Sequence, residues 1–252
     1  MAEMHTLEFD FALDAETFHV KAEVPIAPVR PRRLLPVFQQ MSNMIVDSAV
    51  AKVEARGEAI SCKAGCGACC RQIVPISGAE ARQIREMVAT MPEPRRTEVR
   101  ARFTDAIDRL KAAGLYEKAR DSNTLPDEED VPFALGYMKL GIACPFLEDE
   151  SCSIHPDRPV ICREYLVTSD PADCADPTGY HVRPVPMRAR LSRGVVALES
   201  RPEGPVLLPL VMALEWAEAN ERNEPKARPA RKLLEVVMEV MARPREDGQP
   251  HR

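Results

Sequence analysis

The sequence predicts a mainly α fold: an irregular helical domain with cysteine-rich metal-binding loops and a small N-terminal β-hairpin. Three observations predict it. Apolar residues recur at the three- and four-residue spacing of an amphipathic helix in several separate stretches. By contrast, alternation at period two is confined to the N-terminal stretch. The cysteines fall mainly in two blocks whose glycines and prolines interrupt regular structure. Residues 1–35 read as a hairpin with a proline-rich linker, 36–200 as a cysteine-cluster metal-binding domain, and 201–252 as a C-terminal helical pair packed on the same domain.

In chain order, Leu7, Phe9 and Phe11 alternate with polar residues, Asp14-Ala-Glu16 supplies a turn, and Phe18 to Val24 alternates again. Pro25, Pro28, Pro31 and Pro36 punctuate a linker whose Arg30, Arg32 and Arg33 read as a solvated rim. Pro36 suits the first turn of a helix running to Gly57, with Met41, Ile45, Ser48, Ala49 and Val53 toward the core. Gln72 to Ile76 is short and extended, and Ser77-Gly-Ala-Glu80 has the form of a capping box. The helix it opens carries Ile84, Met87, Val88 and Met91 on one face and ends at Pro92 and Pro94. A third helix aligns Val99, Phe103, Ala106, Ile107 and Leu110 and stops at Gly114.

The acidic run Asp127 to Asp130 lacks the spaced acceptors and central glycine of a calcium loop, so it is expected to be an exposed loop. Residues 182–200 show no decisive period. Pro209 opens a helix with Leu210, Val211, Leu214 and Ala217 inward, and a last helix from about Pro229 carries Leu233, Val237, Val240 and Met241. The final ten residues are polar and expected to fray.

The chemistry sits in the cysteines. Cys62, Cys66, Cys69 and Cys70 lie within a short stretch broken by Gly65 and Gly67. Buried cysteine needs neither clustering nor glycine, whereas a loop that curls around an ion needs both. Cys144, Cys152, Cys162 and Cys174 supply thiols from a distant part of the chain, among Pro145, Pro156 and Pro159, which remove backbone donors and favour turns. Arg158 and Arg163 flank this second set. They either offset thiolate charge or pair with Glu148, Asp157 or Glu164 as structural links.

Composition sets the outer bounds. A chain of 252 residues, 45% hydrophobic, can bury an ordinary core and needs no disulfide staples. The start, Met1-Ala-Glu-Met-His-Thr-Leu-Glu, is polar and acidic, and no run of apolar residues is long enough to span a bilayer. A soluble, cytoplasmic chain without a membrane partner is expected. The net charge of -5 argues against nucleic acid as its partner.

The two blocks, C-x3-C-x2-C-C and C-P-F-L-x4-C-x-I-H-x2-R-P-x2-C-R, closely resemble the YkgJ-type cysteine-cluster family over about residues 60 to 175. That family is described as zinc- or iron-chelating and often labelled iron–sulfur oxidoreductases. The resemblance implies ligand roles for Cys62, Cys66, Cys69, Cys70, Cys144, Cys152 and Cys162, with Cys174 outside the densest motif. The family often has tyrosine where this chain has His155, so no ligand role for that imidazole follows from it. His5, His19, His181 and His251 read as surface or edge residues.

The cofactor is an iron–sulfur cluster, of the 4Fe–4S type foremost, or zinc. Eight thiols suit two tetrahedral zinc sites or one cubane cluster with four thiols left over. Adjacent Cys69 and Cys70 diverge in an extended loop, which suits two centres, or one ligand beside a redox thiol. Seven or eight thiolates around zinc without cations would carry a large negative charge, which favours the cluster. Three functions follow as expectations: an iron–sulfur protein with a redox or sensing role, and so a possible oxidoreductase with a redox partner; a structural zinc module that meets a protein partner; or a protein lysine methyltransferase-like enzyme. The last rests on a related cysteine pattern in flagellin lysine methylases. The chain lacks a glycine-rich nucleotide fingerprint, G-x-S-x-G and H-E-x-x-H.

Overall fold

The computed structural model describes residues 3–13, 15–176, 181–201 and 204–243. The expected turn residue Asp14 and the tail 244–252 lie outside these.

Strands β1 (Met4–Leu13) and β2 (Glu16–Pro25) pair antiparallel in continuous register, Met4 opposite Pro25 and Leu13 opposite Glu16. Their alternation buries Phe11, Val20, Ala22 and Val24, and the directly paired Phe11 and Phe18 rings stack at 5.0 Å. Such cross-strand pairs fix register, because a one-residue slip would turn every one of these side chains to solvent. A 3-10 turn, Pro31–Leu34, leads into α1 (Leu35–Glu54), with Pro36 in its first turn. Met41, Ile45, Ala49 and Val53 form its buried stripe, while half-buried Ser48 donates to the Glu16 carboxylate. Of the linker arginines, Arg30 and Arg33 are exposed as expected and Arg32 is half-buried, and all three are ion-paired. Arg30 lies 3.0 Å from Glu224, Arg32 meets both Glu224 and Glu86, and Arg33 is 2.9 Å from Glu86. Their partners are far away in sequence, so local composition carried no sign of them.

The capping box forms as expected: the Ser77 hydroxyl accepts from the Glu80 amide, and the Glu80 carboxylate accepts from the Ser77 amide at the start of α2 (Gly78–Thr90). Ser77 closes β3 (Pro75–Ser77). Then follow α3 (Arg95–Ala112), which ends with Gly114 at φ +67°, and α4 (Tyr116–Arg120). The acidic run is not a loop: Asp127, Glu128, Glu129 and Asp130 form the first turn of α5 (Asp127–Leu140). Four carboxylates there oppose the positive end of the helix dipole, and Pro126 precedes them as a stop on the upstream chain.

The second cysteine block is more regular than its prolines suggested. It contains β4 (Leu147–Glu148), β5 (Ser151–Cys152), a 3-10 turn over His155–Asp157, and α6 (Val160–Glu164), which carries Cys162. Next comes α7 (Leu191–Ala197), in a stretch where the sequence showed no period. Its start is held by Glu164, whose carboxylate accepts from the amides of Leu191 (2.6 Å) and Ser192 and from the Ser192 hydroxyl. A cap supplied by a remote residue leaves no local signature.

Strands β6 (Ser200–Arg201) and β7 (Gly204–Pro205) pair with each other, and β8 (Leu207–Pro209) pairs antiparallel with β3, Leu208 opposite Ile76. Pro209 therefore ends a strand and also caps the helical segment that follows. A 3-10 turn, Leu210–Met212, intervenes before α8 (Ala213–Ala219), and α9 (Ala230–Ala242) closes the described chain with Leu233 and Val237 buried.

Two main cores result. One gathers α2, α3, α5 and the segment from Val206 to Ala213, and Cys144 and Cys152 pack against it. The other gathers the hairpin, α1, α7 and α9, and includes Val160 at the head of α6. The cysteine blocks thus border both cores. Among the described residues, no helix is long and apolar enough to cross a membrane.

Candidate metal centre

The first block leaves α1 through Gly57 at φ +79° and is pinned at its start, where the Ser61 amide donates to Val167 O at 2.9 Å. Gly65, at φ +85°, reverses the loop, and its amide donates to Ser151 Oγ at 3.0 Å. Gly67 answers a different need. A Cβ on it would lie 2.5 Å from Glu150 Oε2 and 2.8 Å from Leu147 Cδ1, so the β4–β5 hairpin of the second block packs directly on its backbone. A 3-10 turn, Ala68–Arg71, then presents Cys69 and Cys70.

The two blocks are joined by specific bonds. The Cys144 amide donates to Cys70 O at 2.7 Å, and Gln72 Nε2 donates to Cys174 O at 2.8 Å. Arg71 grips the Glu150 carboxylate with both terminal nitrogens. Glu150 and Asp149 both hold positive φ, 56° and 49°, in the two-residue turn between β4 and β5, the geometry of a type I′ hairpin.

Beneath them lies a polar framework. Gln39 Nε2 on α1 donates to the carbonyls of Asp157 and Arg158, 3.2 Å each. Glu80 does more than cap its own helix: its second oxygen accepts from the Val160 amide at 2.8 Å and so holds the start of α6. Burial raises the Glu80 carboxyl above its ordinary range, and these bonds partly offset that. Glu164 is likewise raised by burial, to about 7.

All eight cysteines are free thiols, with Cys174 buried and the others half-buried. Burial and nearby charge act on several of the thiols. Loss of hydration raises Cys62, with Cys66 and Cys69 adding to it, while the Val167 amide, 3.4 Å from Cys62 Sγ, works in the opposite sense. Cys174 is pushed up to about 11 by burial and then by Cys62, Cys69 and Cys66. Cys144 is pushed up to about 12 by burial, with Cys152 and Cys69 adding. Cys162 is raised well above its usual range by burial and by Cys144, Glu80, Cys69 and Cys152. Cys69 is raised first by its hydrogen bond with Cys70 and then by burial.

The two blocks meet through the Cys144–Cys70 and Gln72–Cys174 bonds, and none of the eight thiols they carry is bridged. Among the described residues, no group of three or more His, Cys, Asp or Glu side chains is placed to hold a metal ion.

His155 is exposed, and Arg158 and Arg163 add to the burial that lowers its pKa. His19 pairs with Asp10 on the hairpin surface, and His5 and His181 are exposed. Glu148 binds Arg102 and Arg95, and Glu164 binds the start of α7, so neither is the ion-pair partner of Arg158 or Arg163. The sequence missed Gln39, Asn43, Gln72 and Tyr165 as supports of the centre, because their partners are remote.

The donor set fits zinc or iron: soft sulfur ligands, unbridged by disulfides, beside the buried and unpartnered Nε of Arg158. Comparison with curated proteins and with solved structures gives no match. A family model does match, over residues 61–184, which contain all eight cysteines. Across that stretch the chain is similar to the CxxCxxCC family, described as "Putative zinc- or iron-chelating domain", in agreement with the cysteine-cluster resemblance of its two blocks.

Proposed function

We propose that this chain holds its metal through Cys62, Cys66, Cys69, Cys70, Cys144, Cys152, Cys162 and Cys174, as an iron–sulfur centre with a redox or sensing role in a reducing, cytoplasmic setting and with a protein redox partner. The observation that carries the proposal is the direct joining of the two blocks, Cys144 N to Cys70 O at 2.7 Å and Gln72 Nε2 to Cys174 O at 2.8 Å, with every cysteine unbridged. An iron–sulfur cluster, when bound, supplies one-electron transfer. The chain's own part is to hold soft ligands from two remote segments on a hydrogen-bonded frame. Partial exposure of seven of the eight cysteine residues supports access by a partner or an oxidant.

A structural zinc reading has one observation in its favour. Eight unbridged thiols are enough for two sites of four sulfur ligands each, which suits two zinc ions. Anaerobic purification separates the readings. An iron–sulfur protein should be brown, contain iron and sulfide, bleach reversibly with dithionite and show a paramagnetic signal in one oxidation state. Stoichiometric zinc with no redox response would replace that reading by the structural one.

A further inference from the structure

The hairpin core and a smaller apolar cluster share α1 without closing on each other. Ile45 packs with the hairpin and α9, whereas Ala49 and Val53, on the next turns of the same helix, pack with Val185 and Met187. Between the two clusters lies a cavity of about 210 Å³, walled by Phe18 on the hairpin, by Ile45, Ala49 and Val53 on α1, and by Met187. Ile45, Ala49, Val53 and Met187 are all buried, so its floor is apolar. Side chains around such a space lack packing partners on one side, and an apolar group of matching size supplies them.

The solvent side of the cavity is charged, lined by Glu16, Ser48, Lys52, Arg56 and Arg188. Glu16 is satisfied within the fold: its carboxylate accepts from the Ser48 hydroxyl at 2.8 Å and pairs with Lys52. Arg56 lies 3.2 Å from its near neighbour Glu58, an exposed pair that water screens. Arg188 is exposed, within a stretch from His181 to Leu198 that holds Arg183, Arg188, Arg190 and Arg193 and no acidic residue, in a chain whose net charge is -5. Lys52, Arg56 and Arg188 against Glu16 leave an excess of positive charge at the mouth, above an apolar floor.

We propose that this cavity binds the anion of a medium-chain carboxylic acid, with the alkyl tail among Phe18, Ile45, Ala49, Val53 and Met187 and the carboxylate at the guanidinium groups of Arg56 and Arg188. Size sets the tail. At roughly 30 Å³ per heavy atom, the share of a water molecule in its liquid, the cavity takes about seven carbons, so a long lipid chain exceeds it. Charge sets the head, because the planar guanidinium fork matches a carboxylate. No cysteine lines the cavity, so the proposal stands or falls apart from the metal centre.

The test is a calorimetric titration of the full chain, as purified, with octanoate, whose tail has that length, and with n-octanol as its uncharged counterpart. Octanoate should saturate a single site with a Kd of about 0.1–1 mM, and the alcohol should bind about 10-fold more weakly. Arg56→Gln combined with Arg188→Gln should bring octanoate down to the affinity of the alcohol and leave the alcohol's own binding unchanged. Ala49→Met, which places a longer side chain in the cavity, should weaken both ligands about 10-fold or more. Both arginines are exposed, so their replacement leaves the fold intact and decides the question even if Ala49→Met unfolds the chain. No saturation by octanoate up to about 10 mM, an alcohol as tight as the acid, or octanoate binding by the arginine double variant within about twofold of the parent overturns the proposal.

Discussion

Cys162→Ser should purify without its metal and melt about 8–16 °C below the loaded parent, at the temperature of the parent after chelator treatment. The size follows from the coupling of metal binding to folding. Loss of a structural metal costs about 4 kcal/mol or more, and about 2–4 °C accompanies each kcal/mol in a chain of this size. The variant isolates that term because serine conserves the shape of α6, whose head is held independently by the Glu80 carboxylate at the Val160 amide. Cys66→Ser, in the other block, should behave alike, since the β4–β5 hairpin and the Cys144 amide tie the two segments into one unit. Calorimetry with metal analysis of the same samples checks both. Full metal content with an unchanged melting temperature in the two variants would contradict the account.

Arg82→Met should destabilise the chain by about 3–5 kcal/mol, or roughly 6–20 °C, with no direct contact to the cysteines. Arg82 and Glu199 are buried together, with side chains 6% and 4% exposed, and Arg82 Nη1 donates to the Glu199 carboxylate. The guanidinium also donates to Asn220 O at 3.2 Å and lies 4.8 Å over the Trp216 ring. One side chain thereby joins α2 to the end of α7 and to α8. Packing around it is close enough that a Cβ at Gly78 would meet Glu199 Oε2 at 2.5 Å and Trp216 Cη2 at 2.7 Å. Methionine fills much of the volume but takes away the cation that faces a buried carboxylate, which is the costly half of breaking such a pair. Arg82→Met combined with Glu199→Gln should recover a substantial part of the loss in chemical denaturation. A single-variant effect below about 1 kcal/mol would show that the pair is not sequestered from water.

The sequence told most where structure is local. The period-two alternation from Leu7 to Val24, the stripes of α1 to α3 and the capping box at Ser77 depend on neighbours a few residues away, and each forms as read. It failed where the deciding partner is remote. The capping of α7 by Glu164, the pairing of the linker arginines with Glu86 and Glu224, and the second role of Glu80 at Val160 all cross long stretches of chain.

The acidic run from Asp127 was misread for another reason. Its charge density suggested a solvated loop, yet carboxylates favour the first turn of a helix, where the backbone amides are unpaired. The thiol blocks were legible because their spacing is unusual. How the two blocks meet was not, because the packing of the β4–β5 hairpin against Gly67 and the Cys144–Cys70 bond join segments remote in sequence.

The account turns on cysteines from two distant segments serving one metal-holding unit, and alkylation of the native chain followed by mass spectrometry measures that directly. With metal bound, peptides carrying Cys66 and Cys162 should resist alkylation, and a chelator should release both at the same rate. Protection of one block without the other, or equal reactivity of all thiols with and without metal, would contradict it.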